Sequence, residues 1–249
     1  MAKRSMISWC TSTWNPWIGC TKISPGCLNC YMYRAQERFG KDPSKITRSK
    51  TQFTAPLKWK TPSVVFVCSW SDFFHEAADR WRQDVWRIMN DCRRHQFLIL
   101  TKRPENIKHA LPDDWGVGYP NVWLGVTVET ETYLYRIDIL DETPCAHRFV
   151  SYEPALECFD FYNLTKGFDW FICGGESGPD SRPADPGCFK LAKTTCENDG
   201  LPFFFKQHGG NKMINGVWGG NKLDGRVYQS IPEPLKEIFT FHKKHPSCP

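Results

Sequence analysis

Val64-Val65-Phe66-Val67-Cys68-Ser69-Trp70-Ser71-Asp72 is a short, β-branched apolar run that ends abruptly in polar residues. An unbroken apolar run of this length reads as a strand buried on both faces, the pattern of a parallel sheet covered by helices. The following segment suits a covering helix, because Trp81, Val85, Ile88 and Cys92 recur at helical spacing between 79 and 95. The unit then repeats. Phe97-Leu98-Ile99-Leu100 predicts a strand, Pro104 to Leu111 a helix opened by proline, and Val122-Trp123-Leu124-Gly125-Val126 another strand. Tyr133, Ile137 and Leu140 mark the next helix. Arg148-Phe149-Val150 and Trp170-Phe171-Ile172-Cys173 are further strands, joined by a less regular crossover around Cys158 to Leu164. Asp185-Pro186 opens a helix reaching Asp199, Gly200 stops it, and Phe203-Phe204-Phe205 closes the series. Successive strand starts lie about 22 to 33 residues apart, the length of βαβ units. The expected class is therefore α/β, as a parallel (β/α)6-type partial barrel, TIM-like, with a short C-terminal extension; an open doubly wound sheet has the same periodicity.

A chain of 249 residues suits one large domain. Residues 1–209 are expected to form the barrel. Residues 210–249, crowded with glycine and basic at the end, are expected to form a hairpin or loop and a flexible tail. Twelve cysteines in 249 residues fall below the density of a disulfide scaffold, and residues 1–6 carry no apolar signal region. The expected compartment is cytoplasmic, with reduced thiols. No apolar run approaches the roughly 20 residues that cross a bilayer, so no membrane partner is expected.

Upstream of the first unit, Trp14-Asn15-Pro16-Trp17-Ile18-Gly19-Cys20 leads to Cys27, Cys30 and Tyr31, which places three cysteines at C-x6-C-x2-C. Ser24-Pro25-Gly26 is a turn sequence that can fold the chain back and aim separate sulfurs at one focus. A structural zinc or an ordinary iron-sulfur centre takes four protein ligands, and this loop offers three. An open metal position would remain.

The stretch from Trp14 to Tyr31 resembles the signature WNP-x2-GC-x6-C-x2-CY of small phage-associated three-cysteine proteins within the radical S-adenosylmethionine superfamily. The resemblance continues through LTKRP from Leu100, GVTVE from Gly125, GGESG from Gly174 and FFFKQHG from Phe203. The spacing departs from the superfamily's usual C-x3-C-x2-C, and Asn29 stands where an aromatic often precedes the last cysteine. What the resemblance implies is an enzyme that holds a 4Fe-4S cluster on Cys20, Cys27 and Cys30. Such an enzyme reductively cleaves S-adenosylmethionine to methionine and a 5'-deoxyadenosyl radical, and needs an electron donor as partner. Tyr31 would take over the adenine contact.

In a parallel barrel the chemistry lies at the carboxyl ends of the strands. Every predicted strand here leads into polar residues: Ser69, Ser71 and Asp72; Thr101, Lys102 and Arg103; Thr127 and Glu129; Ser151 and Glu153; Gly174, Gly175, Glu176 and Ser177; Lys206, Gln207 and His208. Together they imply a polar mouth. The glycines at 174 and 175 would let backbone approach a ligand closely, and the resemblance implies an S-adenosylmethionine contact there. The candidate cofactor contacts are Tyr31, Ser69, Ser71, Asp72, Thr127, Glu129, Glu153, Gly174, Gly175 and Glu176. No residue is assigned the catalytic step.

The net charge of +5 is mild, but Lys41, Lys45, Arg48, Lys50, Lys58 and Lys60 share a stretch with Asp42 as its only acid. Lys45, Arg48 and Lys50 are candidate phosphate contacts, with Phe53 and Trp59 as candidate base-stacking residues, so nucleic acid is a candidate partner. The function expected is modification or repair of a nucleic acid or nucleotide. Two rivals share these features. A metal-dependent hydrolase would use the strand-end carboxylates, and a zinc-containing nucleic-acid-binding protein would use the cysteines with His75 or a distant cysteine as fourth ligand.

Overall fold

Seven parallel strands form one curled sheet in the computed structural model, which describes residues 5–161 and 166–245. They are β1 (Ser12–Trp14), β2 (Val64–Val67), β3 (Gln96–Thr101), β4 (Val122–Thr127), β5 (His147–Tyr152), β6 (Trp170–Gly174) and β7 (Phe203–Gln207). Each pairs in parallel with the next along the chain. This is the partial barrel expected from the strand and helix period, with β1 added ahead of the predicted series. Only three residues long, with polar Ser12 and Thr13, β1 lacks the apolar run that announces the others.

Helices α1 (Tyr31–Arg38), α2 (Asp79–Asp91), α3 (Ile107–Ala110), α4 (Tyr135–Asp141) and α5 (Pro186–Asp199) run between the strands. On the helix side, Val65, Val67, Phe97, Ile99, Leu124 and Val126 pack in one core with Val85, Trp86 and Met89 of α2, Ile137 and Leu140 of α4, and Phe189 of α5. The strand residues of alternate parity face the concave side. There Phe66, Leu98, Trp123, Phe149, Trp170, Ile172 and Phe204 form a second core with Trp9 and Leu235. Burial on both faces explains why the strands read as unbroken apolar runs. Helix ends follow local chemistry: the Asp185 side chain accepts from Gly187 N–H at 2.8 Å, and Gly200, with φ +66°, ends α5.

The C-terminal segment contains hairpins, as expected, but ends in a packed helix where a flexible tail was expected. Two hairpins (Met213–Ile214 with Val217–Trp218, and Lys222–Leu223 with Arg226–Val227) lead into helix α6 (Glu233–Lys244). Leu235 of α6 is fully buried, with Ile238 and Phe239 beside it against the concave core, so the helix plugs the barrel at the amino ends of the strands. On the way, Phe205 N–H donates to Tyr228 carbonyl at 2.7 Å and Ser230 N–H to Phe203 carbonyl at 3.0 Å, covering the free edge of β7. The last part of the expected tail, 246–249, and the end of the expected crossover, 162–165, lie outside the described residues.

The expectation of uniformly reduced thiols is also corrected: Cys158 and Cys188 form a disulfide that joins the segment after β5 to the first turn of α5. Among the described residues no helix is long and apolar enough to cross a membrane.

Candidate metal centre and cavity

The chain leaves β1 directly into the cysteine loop. Ser24 is extended, Pro25–Cys27 makes a single 3-10 turn, and Cys30 precedes the first residue of α1. Cys27 N–H donates to Ser24 carbonyl at 2.9 Å and Leu28 N–H to Pro25 carbonyl at 3.1 Å, which closes the turn. The Trp14–Gly19 motif is the foundation. Trp14 Nε1 donates to Gln52 carbonyl and buried Trp17 Nε1 to Asp72 carbonyl, while Asn15 accepts from Trp70 N–H at 2.8 Å and donates to Ser69 Oγ at 3.0 Å. Gly19 has φ +103°, and a Cβ there would lie 2.5 Å from Lys45 carbonyl, so only glycine fits.

Charged residues at the strand ends then fasten the loop. After β3, Arg103 donates to Thr21 carbonyl at 3.0 Å and Thr21 Oγ1 at 2.7 Å, and sits 3.9 Å from Cys20 Sγ. After β4, fully buried Glu129 accepts from Ser24 Oγ at 2.5 Å and pairs with Arg136 at 2.8 Å; a Cβ on Gly26 would strike its side chain. After β6, Glu176 accepts from Asn29 at 3.0 Å and from the Arg182 side chain, and Arg182 also donates to Pro25 carbonyl at 2.9 Å. Three strand ends thus hold one loop. Arg34, Arg136 and Arg182 escape a sequence reading, since nothing in their neighbourhoods distinguishes them from surface arginines.

The site's electrostatics follow from these contacts. Burial, then Asp72, pushes the Cys20 thiol up to about 12. Burial opposes ionisation of Cys27 too, but Lys102 and hydrogen bonds from Ile23 and Ser24 outweigh it and lower its value. Burial also works against the Glu176 carboxylate, and the Arg182 and Asn29 hydrogen bonds win, holding it below the usual carboxylate range. His75 is lowered by burial and then by Arg103. Its Nδ1 accepts from Ala77 N–H, so Nε2 carries the proton and donates to Thr21 Oγ1 at 3.1 Å. Both ring nitrogens are engaged.

The three loop thiols carry no bond to one another. Among the described residues, the one group of three candidate ligand atoms within 4.8 Å of one another is Cys158, Asp185 and Cys188. A mononuclear tetrahedral zinc with Zn–S bonds of about 2.3 Å would draw its thiolates to about 3.8 Å.

All three loop cysteines line a cavity of about 660 Å³. Of the candidate cofactor contacts, Tyr31, Ser69, Ser71, Asp72, Thr127, Glu153, Gly175 and Glu176 line it as well, and Glu129 and Gly174 do not. Several are already engaged. Asp72 accepts from Phe74 N–H, Thr101 Oγ1 and Lys102 N–H at 2.7–3.0 Å. Ser71 Oγ donates to Gly19 carbonyl, and Tyr31 hydroxyl to Ser69 carbonyl. Gly175 has a reason within the protein: a Cβ there would lie 2.0 Å from His208 carbonyl, so the close approach is to backbone of the next strand. Two polar atoms of the wall, Ser151 Oγ and Arg34 Nη1, are buried with no partner.

Lys45, Arg48 and Lys50 are exposed and outside the cavity wall. Thr47–Arg48 pairs with Trp17–Ile18 in a short antiparallel ribbon, so the basic stretch adjoins the cysteine loop. Phe53 and Trp59 do not fit base stacking. Both rings are buried, Phe53 beneath the Arg48 guanidinium at 3.7 Å and Trp59 edge-on to His95, because the apolar core recruits them first.

A family model described as "Protein of unknown function (DUF5131)" matches residues 4–232. No curated protein matches the chain. Among solved structures, a cysteine-to-serine mutant of spore photoproduct lyase aligns with 98% of this chain and 75% of its own, at 10% identity and a TM-score of 0.49. A tyrosine-to-phenylalanine mutant of the same lyase, and the lyase complexed with dinucleoside spore photoproduct, align over the same shares at 10% identity, with TM-scores of 0.47 and 0.46.

Proposed function

This chain belongs to the family described as protein of unknown function (DUF5131), and we propose that it is a radical S-adenosylmethionine enzyme with a 4Fe-4S cluster on Cys20, Cys27 and Cys30 that modifies or repairs a nucleic acid or nucleotide. The observation that carries the reading is the three-thiol loop fastened by charges from three strand ends over a cavity of about 660 Å³. A cavity of that size falls in the range of cofactor sites. Both ring nitrogens of His75, the candidate fourth zinc ligand, are hydrogen-bonded within the protein, which disfavours a mononuclear zinc on the loop. The orphaned Ser151 Oγ and Arg34 Nη1 fit a wall that meets a bound molecule, since buried polar groups normally have partners.

When bound, a cluster of this kind with S-adenosylmethionine supplies one-electron reductive cleavage and hydrogen abstraction. The chain's own residues prepare the place. Cys20, Cys27 and Cys30 bind, Arg103, Glu129 and Arg182 orient the loop that carries them, and Lys102 places a positive charge toward Cys27. Tyr31, Thr127 and Gly175 are the wall residues nearest in kind to cofactor contacts. Outside, Lys45, Arg48 and Lys50 offer charge for phosphates. A base treated within the mouth must be unpaired or flipped, so single strands are the favoured form. The partners of this reading are an electron donor and the nucleic acid, and the phage-associated resemblance belongs to it as well.

Anaerobic reconstitution tests it. The protein should turn brown and carry about four iron and four sulfide per chain, and alanine at any of the three loop cysteines should abolish this. About one zinc per chain, with no visible absorption after reconstitution, would end the reading.

A further inference from the structure

The cavity wall holds a second polar group that the cysteine loop does not use. Ser151, at the carboxyl end of β5, is fully buried, and its Oγ has no partner. Glu153, two residues on, forms an ion pair with Lys206 of β7, with about a fifth of each side chain exposed (18% and 20%). Thr127 of β4 sits opposite Ser151 in the ladder. Phe66 and Leu100 supply an apolar part of the same wall.

Donor and acceptor inventory narrows what this group can take. The carboxylate of Glu153 only accepts, the ammonium of Lys206 only donates, and the hydroxyl of Ser151 does both. An anion would meet Glu153 and a cation would meet Lys206, while a zwitterion would have to part the pair. A neutral group with donor and acceptor side by side can use all three residues with the ion pair intact. A trans peptide unit points its N–H and C=O in opposite directions. The lactam or imide edge of a nucleobase presents both on one side of a ring whose faces suit an apolar wall.

We propose that Ser151, Glu153 and Lys206 form a substrate-recognition site for the imide or lactam edge of a nucleobase. This rests on the proposed function and deepens it by naming the part of the substrate that the cavity reads.

The test titrates cluster-loaded protein, anaerobically, with a single-stranded thymidine octamer and with an octamer whose bases are replaced by abasic sites. The parent should bind the thymidine octamer more tightly. Ser151→Ala should weaken that binding about fivefold to tenfold, the worth of one buried hydrogen bond, and leave the abasic octamer's affinity alone. Because Ser151 Oγ has no partner, this substitution strands no other group, and the thermal midpoint checks the fold. Lys206→Met should weaken the same octamer selectively. Equal parental affinity for both octamers, no binding of either, or a Ser151→Ala loss shared by the abasic octamer would overturn the proposal. So would loss of S-adenosylmethionine binding in Ser151→Ala with octamer binding unchanged, which would assign the hydroxyl to the cofactor. Iron and sulfide content of the same samples reads the proposed function separately, so the two failures are distinguishable.

Discussion

Two groups of cysteines in this molecule meet opposite fates. Cys20, Cys27 and Cys30 are close in sequence, yet their sulfurs do not gather within 4.8 Å; Cys158 and Cys188 are 30 residues apart and are bonded. The difference lies in what holds the backbone. The loop is fixed from outside, by Arg103, Glu129, Arg182 and the Trp14–Gly19 motif. At the second place the segment after β5 meets the first turn of α5, where the capping carboxylate of Asp185 lies within 4.8 Å of both sulfurs. The first group is held by side chains from distant strands, the second by a covalent bond.

Removing an anchor should break the comparison most severely. Glu129→Ala takes away the acceptor of Ser24 Oγ and leaves Arg136, 1% exposed, without its carboxylate. Losing one partner of a buried pair costs about 3–5 kcal/mol. A markedly lower denaturant midpoint and poor iron retention are expected; an unchanged midpoint would show that Glu129 does not hold the loop.

The second group should affect stability without touching the first. Closing a loop of 30 residues is worth about 3–4 kcal/mol against the unfolded chain. Cys188→Ser should therefore lose about that much under oxidising conditions, match the parent in excess reductant, and keep its iron. Iron lost in this variant would mean that the two cysteine groups are coupled.

A smaller, pH-dependent effect should sharpen the role of Arg182. The folded Glu176 carboxyl lies below its ordinary value of 4.5, because Arg182 and Asn29 outweigh burial. Its contribution is thus fully present above about pH 4.5 and is lost as pH falls through the depressed folded value. Arg182→Gln should cost about 1 kcal/mol near pH 7, with the gap to the parent narrowing as pH falls below about 4.5. A gap that stays constant across that range would remove Glu176 from the explanation.

Much of the fold is legible in the sequence because each main strand is buried on both faces and so becomes an apolar run wherever it ends up. The six runs from Val64 to Phe205 needed no knowledge of their neighbours. Helix α6 was hidden: Leu235, Ile238 and Phe239 form a short apolar pattern amid basic residues, and the concave core that gives them a reason belongs to distant strands. The disulfide was hidden likewise, since two cysteines 30 residues apart read the same whether they meet or not.

The sequence by itself determined the succession of buried strands and covering helices, the three-thiol loop and the ring of polar residues at the strand ends, because periodicity and spacing are local properties of the chain. The order of the strands in the sheet came from the structure. Only the tertiary structure decided what each polar residue does. Asp72, Glu129 and Glu176 are largely taken up by backbone, Ser24, Arg136, Asn29 and Arg182, while Ser151 Oγ is left without a partner in the cavity wall. A carboxylate or hydroxyl after a strand looks alike in sequence in either role. Which role it takes depends on the groups that fill its remaining hydrogen-bonding positions, and those arrive from elsewhere in the fold.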